Sequence, residues 1–520
     1  MIKYNIMALS PLEELDLHWK EEDSLLDTAS EGVRCKDMND IIARISKIKK
    51  TVKKINLNNQ QALTAVPEVL KECVLLEELN ISHTEITVIP DFLFALPSLR
   101  VLSCCCRKLT QPPEGIGSAK KLENLHIRIN DGWNYPKGIS QLTELKNLFI
   151  DIYSDAAFPK DFGSLTKLEE LILSIKYEKG AVQTLPDSFS RHPSLKRIII
   201  VDNIFKNYKE LDFEKTAQIL SSCNSLESMT LSSFTIKKIN GLSKLFKLKG
   251  LDLRHLIVGE NIFDSIAALQ NLEKLDILGS EFKIDALPDI FGNFSELRSF
   301  SFAGNFIREL PPSLFLLNNL TTLEIGSTGI AVLDEKIGNL KNLTKLHIYD
   351  NMLEKLPNSI FALPRLAVLN IEENFFKQQY IAAVKQKITD MYKKGQRIEF
   401  TCSNQGHRLA VKKLRAINYL ESVNSAVYFR YCIAAVYEKP NSLKYIRDEF
   451  LKDNEYIQIC LEAALRNSYD DFLINVNHKR LDRKDYERIC WAAILHLPTT
   501  ISKMVEPTEE LYNLAAKQLK

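Results

Sequence analysis

The sequence predicts an α/β solenoid whose short repeated units lay a parallel sheet along a concave face, followed by a smaller all-α helical-repeat domain. Three observations carry this prediction. A unit of the form L-x-x-L-x-L-x-x-N recurs from Val52 to Leu366. Within it, apolar and polar residues alternate at the period of a strand. From about Leu409 the unit gives way to a different repeat, marked by Tyr, Cys and Ala.

Bulk properties narrow the function classes. A chain of 520 residues, 45% of them hydrophobic, can build more than one domain with a substantial core. Lys and Arg number 68 against 66 Asp and Glu, a formal charge of +2, so the chain lacks the basic field that condenses on nucleic acid. The opening Met1-Ile-Lys-Tyr-Asn-Ile-Met has none of the regions of a secretory signal. No apolar run reaches the ~18 residues of a membrane span. The ten cysteines, three of them contiguous at Cys104, Cys105 and Cys106, follow no secreted disulfide framework. The expectation is a cytoplasmic protein, although delivery into a host cell without a cleavable signal would leave the same signature.

In chain order, residues 1–51 are expected to form an N-terminal cap region. Leu12, Leu15 and Leu17 copy the strand motif as a degenerate unit of undetermined pairing. Ile41, Ile45, Ile48, Val52 and Ile55 then fall at three- and four-residue steps among lysines. This is an amphipathic helix descending into the first strand, a cap that a solenoid needs to close its core; the other reading is a helix for a membrane surface or an acidic partner.

Residues 52–402 are the solenoid and its C-terminal cap. First positions fall at Val52, Leu76, Leu99, Leu122, Leu145, Leu168, Leu195, Leu226, Leu248, Leu272, Leu297, Leu320, Leu343 and Leu366, with spacings from 22 (Leu226 to Leu248) to 31 (Leu195 to Leu226). The cleanest copy carries Leu343, Leu346, Ile348, Asn351, Leu353, Leu356, Pro357, Ile360 and Leu363. Its apolar pair in L-x-L is buried, and its Leu-Pro turn and Ile/Leu pair cover the other side of the same core. The Asn, expected to bond backbone in the turn, recurs as Asn130, Asn203, Asn305, Asn351 and Asn374, and is replaced by Thr84, Tyr153 and Phe234. The long copies from Leu168 and Leu195 carry insertions away from the strand. Residues 379–394 read as a closing helix, Gly395 as its stop and residues 397–401 as a last strand.

This pattern resembles the leucine-rich-repeat superfamily, in the cytoplasmic 23-residue class of the plant intracellular Ras-group and Ras-binding scaffold proteins, with Leu310-Pro311 and Leu356-Pro357 in the typical places. The resemblance covers about residues 52–376 and implies fold strongly. It leaves the partner open, because fold alone does not fix function.

Residues 403–410 are expected to be a linker and residues 411–520 a helical-repeat domain. Tyr428, Cys432 and Ala435 recur as Tyr456, Cys460, Ala463 and as Tyr486, Cys490, Ala493, each trio on one helical face. Motifs for chemistry are sparse. The chain has no phosphate-cradling G-x-x-x-x-G-K-[ST] loop, no H-E-x-x-H and no G-x-S-x-G. Cys35-Lys36-Asp37, the one Cys-x-Asp triplet, precedes the repeats without a ligase domain around it. Cys104 is placed inward and Cys105 on the concave face, as small residues. No catalytic residue, metal or cofactor is expected. The expected function is a non-enzymatic scaffold for a protein partner, with no small-molecule substrate; the alternative is a bacterial effector or enzyme whose activity resides in the helical tail.

Positions three, five, seven and eight of each unit map the concave surface. Phe149, Ile152, Ile172, Ile175, Ile199 and Val201 form an apolar stripe over neighbouring strands, expected either to anchor a partner or to lie under the insertions or the tail. Arg254, His255, Lys345, His347 and Tyr349 are expected as orienting polar contacts. Truncating Phe149 and Ile172 together is expected to leave folding intact.

Overall fold

The computed structural model describes residues 25–27, 35–176, 184–202, 209–258, 261–280, 286–304, 307, 309–374 and 376–402. The expected linker, the helical-repeat domain and the strand-like Leu12 to Leu17 lie outside these residues. The chain divides into two compact units between Leu275 and Asp276.

In the first unit, β1 (Leu25–Asp27) precedes helix α1 (Met38–Ile48), which is followed by β2 (Lys54–Asn56), β3 (Glu78–Asn80), β4 (Val101–Ser103), β5 (Asn124–Ile129), β6 (Asn147–Ile152), β7 (Glu170–Ile175) and β8 (Arg197–Asp202). Next come β9 (Lys209–Glu210), α2 (Phe213–Leu220), β10 (Ser228–Ser232), β11 (Phe234–Ile236), β12 (Gly250–Arg254), β13 (Ile257–Val258) and α3 (Ile262–Ile266). The strands β1 to β8, then β10 and β12, pair in parallel and in chain order. Equivalent positions of successive units stand side by side, as in Leu148↔Leu171 and Leu171↔Ile198. Strands β9, β11 and β13 form a separate small parallel sheet that the sequence does not predict; of the three, β9 alone falls in a long unit.

The amphipathic helix expected around Ile41 forms as α1, and a strand the sequence does not predict, β1, precedes it and pairs with β2. Asp37 accepts a hydrogen bond from the Asp40 amide at the start of α1, and Ile41 and Ile45 are fully buried. Strand β14 (Lys274–Leu278) spans the divide. The second unit holds β15 (Ser299–Ala303), β16 (Thr322–Glu324), β17 (Lys345–His347), β18 (Val368–Asn370), helix α4 (Gln378–Lys393) and β19 (Glu399–Thr401). These strands again pair in parallel and in order. Gly395, at φ +91°, turns the chain out of α4.

The units of β8 and β12 return through the helices α2 and α3, and opposite most other strands the unit returns through a short 3-10 turn. Pro67, Pro90, Pro113, Pro186, Pro311 and Pro357 each stand just before one, with φ from −62° to −77°. The ring presets that angle, and the missing N–H is not required there. The Leu-x-Leu residues fill the core between strand and turn: Leu323, Ile325, Leu346 and Ile348 are all fully buried.

Of the expected turn asparagines, Asn203 and Asn305 lie outside the described residues, and Asn130, Asn351 and Asn374 bond backbone. Asn351 Oδ1 accepts from the Thr328 and Gly329 amides (both 3.0 Å) and the Thr328 hydroxyl (2.8 Å), while its Nδ2 donates to the Ile325 and Tyr349 carbonyls (2.6 and 3.0 Å). Asn374, one unit later, accepts from the Leu353 amide (3.1 Å) and donates to the Ile348, Ile371 and Glu372 carbonyls (2.8, 3.1 and 3.2 Å).

Position eight of the unit explains where the strands differ in length. Asn59, His83, Ser233, His255, Ser327, Asp350 and Glu373 all occupy it with φ between 49° and 67°. That left-handed residue lifts the chain out of the strand. In the units beginning at Leu122, Leu145 and Leu168 the position is Ile129, Ile152 and Ile175, and β-branched side chains resist positive φ. There the strand runs straight on to six residues.

Candidate functional site

That straight run corrects part of the expected surface. In a six-residue strand positions four, six and eight share one face, so Ile152 and Ile175 turn into the core instead of the concave side. They line a small cavity of about 10 Å³ with Leu173, Ile200, Phe158 and Tyr135. His255 is likewise not a strand residue; it sits in the left-handed turn after β12 at φ 49°.

Positions three, five and seven hold the face away from the core. Along position five, His126, Phe149, Ile172 and Ile199 stand on adjacent strands. Phe149, Ile172 and Ile199 pack into a cluster with Val201 beside it, and are only 5%, 3% and 5% exposed. The expected stripe therefore exists at four of its six residues, but as a packed cluster and not as exposed anchors. His126 extends it, its imidazole stacked on Phe149 with centroids 4.1 Å apart and planes 3° from parallel.

Beside this row lies a cavity of about 100 Å³, lined by Ser103, Asn124, His126, Asn147, Phe149 and Ile172 among others. Its rim is polar, with Asn147 Nδ2 donating to Asn124 Oδ1. Phe149 and Ile172 give it an apolar wall.

Next to the stacked rings sits a polar constellation the sequence reading did not assemble. The Cys105 thiol donates to Asp151 Oδ2 at 2.8 Å, and Lys176 holds Asp151 Oδ1 at 2.6 Å. His126 Nε2 stands 3.7 Å from Asp151 Oδ2, and Ser103 Oγ lies 3.2 Å from His126 Nδ1. Cys105 and Asp151 are buried, at 1% and 3% exposure. Burial, then the Asp151 charge, push the Cys105 thiol far up, which keeps it a protonated donor. Burial alone would raise the Asp151 carboxyl, but His126 and Lys176 beside it hold it well below the usual carboxylate range. The signal was present in the sequence as positions seven, five and seven of three successive units. It needed the register to be seen.

The expected polar contacts are placed as follows. Arg254 grips Asp252 through Nε (2.8 and 3.0 Å) and Nη2 (2.5 Å). In the second unit Lys345 is exposed and His347 half-buried. There the Tyr349 hydroxyl donates to Glu324 Oε1 at 2.6 Å, and Glu324 also accepts from Ser301 at 2.7 Å. Burial and the Glu324 charge push the Tyr349 hydroxyl far above its ordinary pKa. Gly326 makes room for that ring: a Cβ there would lie 2.4 Å from it. Tyr349 is thus held within its own sheet.

A second missed feature runs along position two: Lys53, Glu77, Arg100, Glu123, Lys146, Glu169, Lys196, Glu227, Lys249 and Glu273 alternate in sign without a break. Arg100 and Lys146 flank Glu123 at 2.7 and 2.8 Å, and Lys196–Glu169 and Lys249–Glu227 close at 3.0 Å.

No protein-family model matches the chain, and no curated protein matches it. Among solved structures, a leucine-rich-repeat protein of Leptospira interrogans is 22% identical, covering 69% of this chain and 98% of that one, with a TM-score of 0.43. An internalin of Listeria monocytogenes is 16% identical over 70% of this chain and 89% of its own, with a TM-score of 0.43. The ectodomain of a plant membrane receptor kinase from Arabidopsis thaliana is 20% identical over 63% and 51%, with a TM-score of 0.34. Likeness at that level is too low to carry an assignment, which stands on the repeat itself. With one parallel strand per L-x-x-L-x-L-x-x-N unit, the L-x-L pair in the core and the Asn side chain tied to the turn backbone, the chain has the leucine-rich-repeat fold.

Proposed function

We propose that the protein is a non-enzymatic binding scaffold that takes a protein partner on the strand face of its first unit, with an apolar side chain of the partner seated beside Phe149. The observation that carries this reading is the cavity of about 100 Å³ between the Asn124–Asn147 rim and the Phe149–Ile172 wall. An apolar cavity of ~150 Å³ accommodates benzene, so this one suits a branched aliphatic side chain. A small apolar recess inside a polar rim is the form that interface anchors occupy. The strands on either side are fixed by parallel pairing, so little ordering entropy is lost on binding. Arg254, with its guanidinium already braced by Asp252, is a contact further along the same face. A reducing cytoplasm suits the free thiols of the seven described cysteines.

Differential affinity capture tests the reading. The wild-type chain and the Asn124→Lys/Asn147→Lys variant are used as paired baits, with Phe246→Ser as a control at a site that is 53% exposed. A partner retained by wild type and control but lost by the double variant supports the proposal; partners unaffected by the rim charges and lost with Phe246→Ser oppose it.

A further inference from the structure

Independently of that partner, the geometry points to a zinc-type divalent metal site formed by Cys105, His126 and Asp151. Their sulfur, nitrogen and oxygen ligand atoms all lie within 4.8 Å of one another. They come from three successive units: His126 and Asp151 lie in the paired strands β5 and β6, and Cys105 stands two residues past β4, where its amide donates to Ser82 Oγ (3.0 Å) and its carbonyl accepts from the His83 amide (3.1 Å).

Each ligand is already oriented. The His126 ring is held flat by Phe149 and has Ser103 Oγ at its Nδ1, which leaves Nε2 directed at Asp151. That Nε2 is buried and has no hydrogen-bond partner. A buried ring nitrogen left without a partner is uncommon, and it is the atom a metal would take. Lys176 occupies Asp151 Oδ1 and leaves Oδ2 facing both Cys105 and His126. With Ser103 as outer partner of His126 and Lys176 as outer partner of Asp151, the cluster has the second set of contacts that ligating side chains require.

The donor set selects the metal. One thiolate, one imidazole and one carboxylate suit borderline-soft zinc, and three protein ligands leave a fourth tetrahedral position for water. Zinc bond lengths of about 2.0 to 2.3 Å place tetrahedral ligands roughly 3.4 to 3.6 Å apart. The His126–Asp151 distance of 3.7 Å must close by a few tenths of an ångström, and the Cys105–Asp151 distance of 2.8 Å must open. It opens because the thiol proton that now bridges the pair leaves to solvent as the sulfur–metal bond forms. Asp151 then exchanges that donor for the metal.

Cobalt(II), added to the full-length chain after chelator treatment, is the probe. The expected result is a thiolate-to-cobalt charge-transfer band with the intense visible bands of a tetrahedral site, both reversed by zinc. Cys105→Ser removes the charge-transfer band and Cys402→Ser keeps it. Ser103→Ala, which removes the partner of His126 Nδ1 and the hydrogen bond to Ser82 Oγ, weakens cobalt binding roughly tenfold. Absence of the band in the wild type, or its persistence in folded Cys105→Ser, overturns the site. Should Cys105→Ser fail to fold by circular dichroism, Asp151→Asn replaces it, and wild-type cobalt affinity in that folded variant overturns the site equally.

Discussion

The imidazole of His126 lies flat against the ring of Phe149, 4.1 Å between centroids and 3° from parallel, on neighbouring strands of one parallel sheet. This contact joins the apolar row Phe149–Ile172–Ile199 to the polar constellation around Asp151. The row is a packed cluster, so truncating it costs stability, contrary to what the sequence alone suggested. Phe149→Ala should lower the stability of the first unit by roughly 3 kcal/mol, within the range for a buried aromatic. A thermal or denaturant transition unchanged in that variant would show that the ring lies free.

Asp151 gives the protein a pH-dependent contribution. Its carboxyl is held below the value it has in the unfolded chain, so its stabilisation is present above the unfolded pKa of about 4 and is lost as pH falls below that value. In metal-free protein, Asp151→Asn should cost roughly 2 kcal/mol at pH 7, with Lys176 left unpaired. The difference from wild type should shrink as pH drops below about 4. Unfolding curves at a series of pH values check this; a difference that is constant with pH would reject it.

Asn351 is fully buried and uses both ends of its amide, accepting three hydrogen bonds and donating two. Asn351→Ala strands these backbone groups away from water and should cost about 3 kcal/mol in the second unit. Asn351→Asp keeps the acceptor and loses both donors, so it should be destabilising as well. Calorimetric melting of the two variants is the measurement.

The charge ladder at position two makes a smaller claim. Glu123 pairs with Arg100 and Lys146, and hydrogen bonding to Lys146 opposes burial to hold its carboxyl below the usual range. The group is on the surface, where ion pairs contribute little. Glu123→Gln should cost under about 1 kcal/mol at low salt, and less as salt rises. The ladder's larger consequence is register: sliding the units by one repeat would set like charges side by side along the whole row.

The fold was legible because it repeats. Apolar spacing located the strand pairs, helix α1 around Ile41, the turn at Gly395 and the role of Asn351, but not β1, which pairs with β2 ahead of that helix. The face was less legible. Ile152 and Ile175 were assigned to it by counting positions, and counting misses that a β-branched residue at position eight refuses the left-handed turn and keeps the strand straight. Cys105, His126 and Asp151 escaped for another reason: they lie 21 and 25 residues apart in sequence, and only parallel register converts those separations into contact. The three-stranded sheet of β9, β11 and β13 left no pattern of its own in segments of two or three residues.

The central claim is that the recess beside Phe149 receives a partner's side chain. It is tested most directly by calorimetric titration of a captured partner against wild type, Asn124→Lys/Asn147→Lys and Phe246→Ser. The rim charges should weaken binding by about tenfold or more, ~1.4 kcal/mol, while Phe246→Ser leaves the affinity unchanged. Equal affinity for wild type and the folded rim variant would contradict the claim and move the interface off this face.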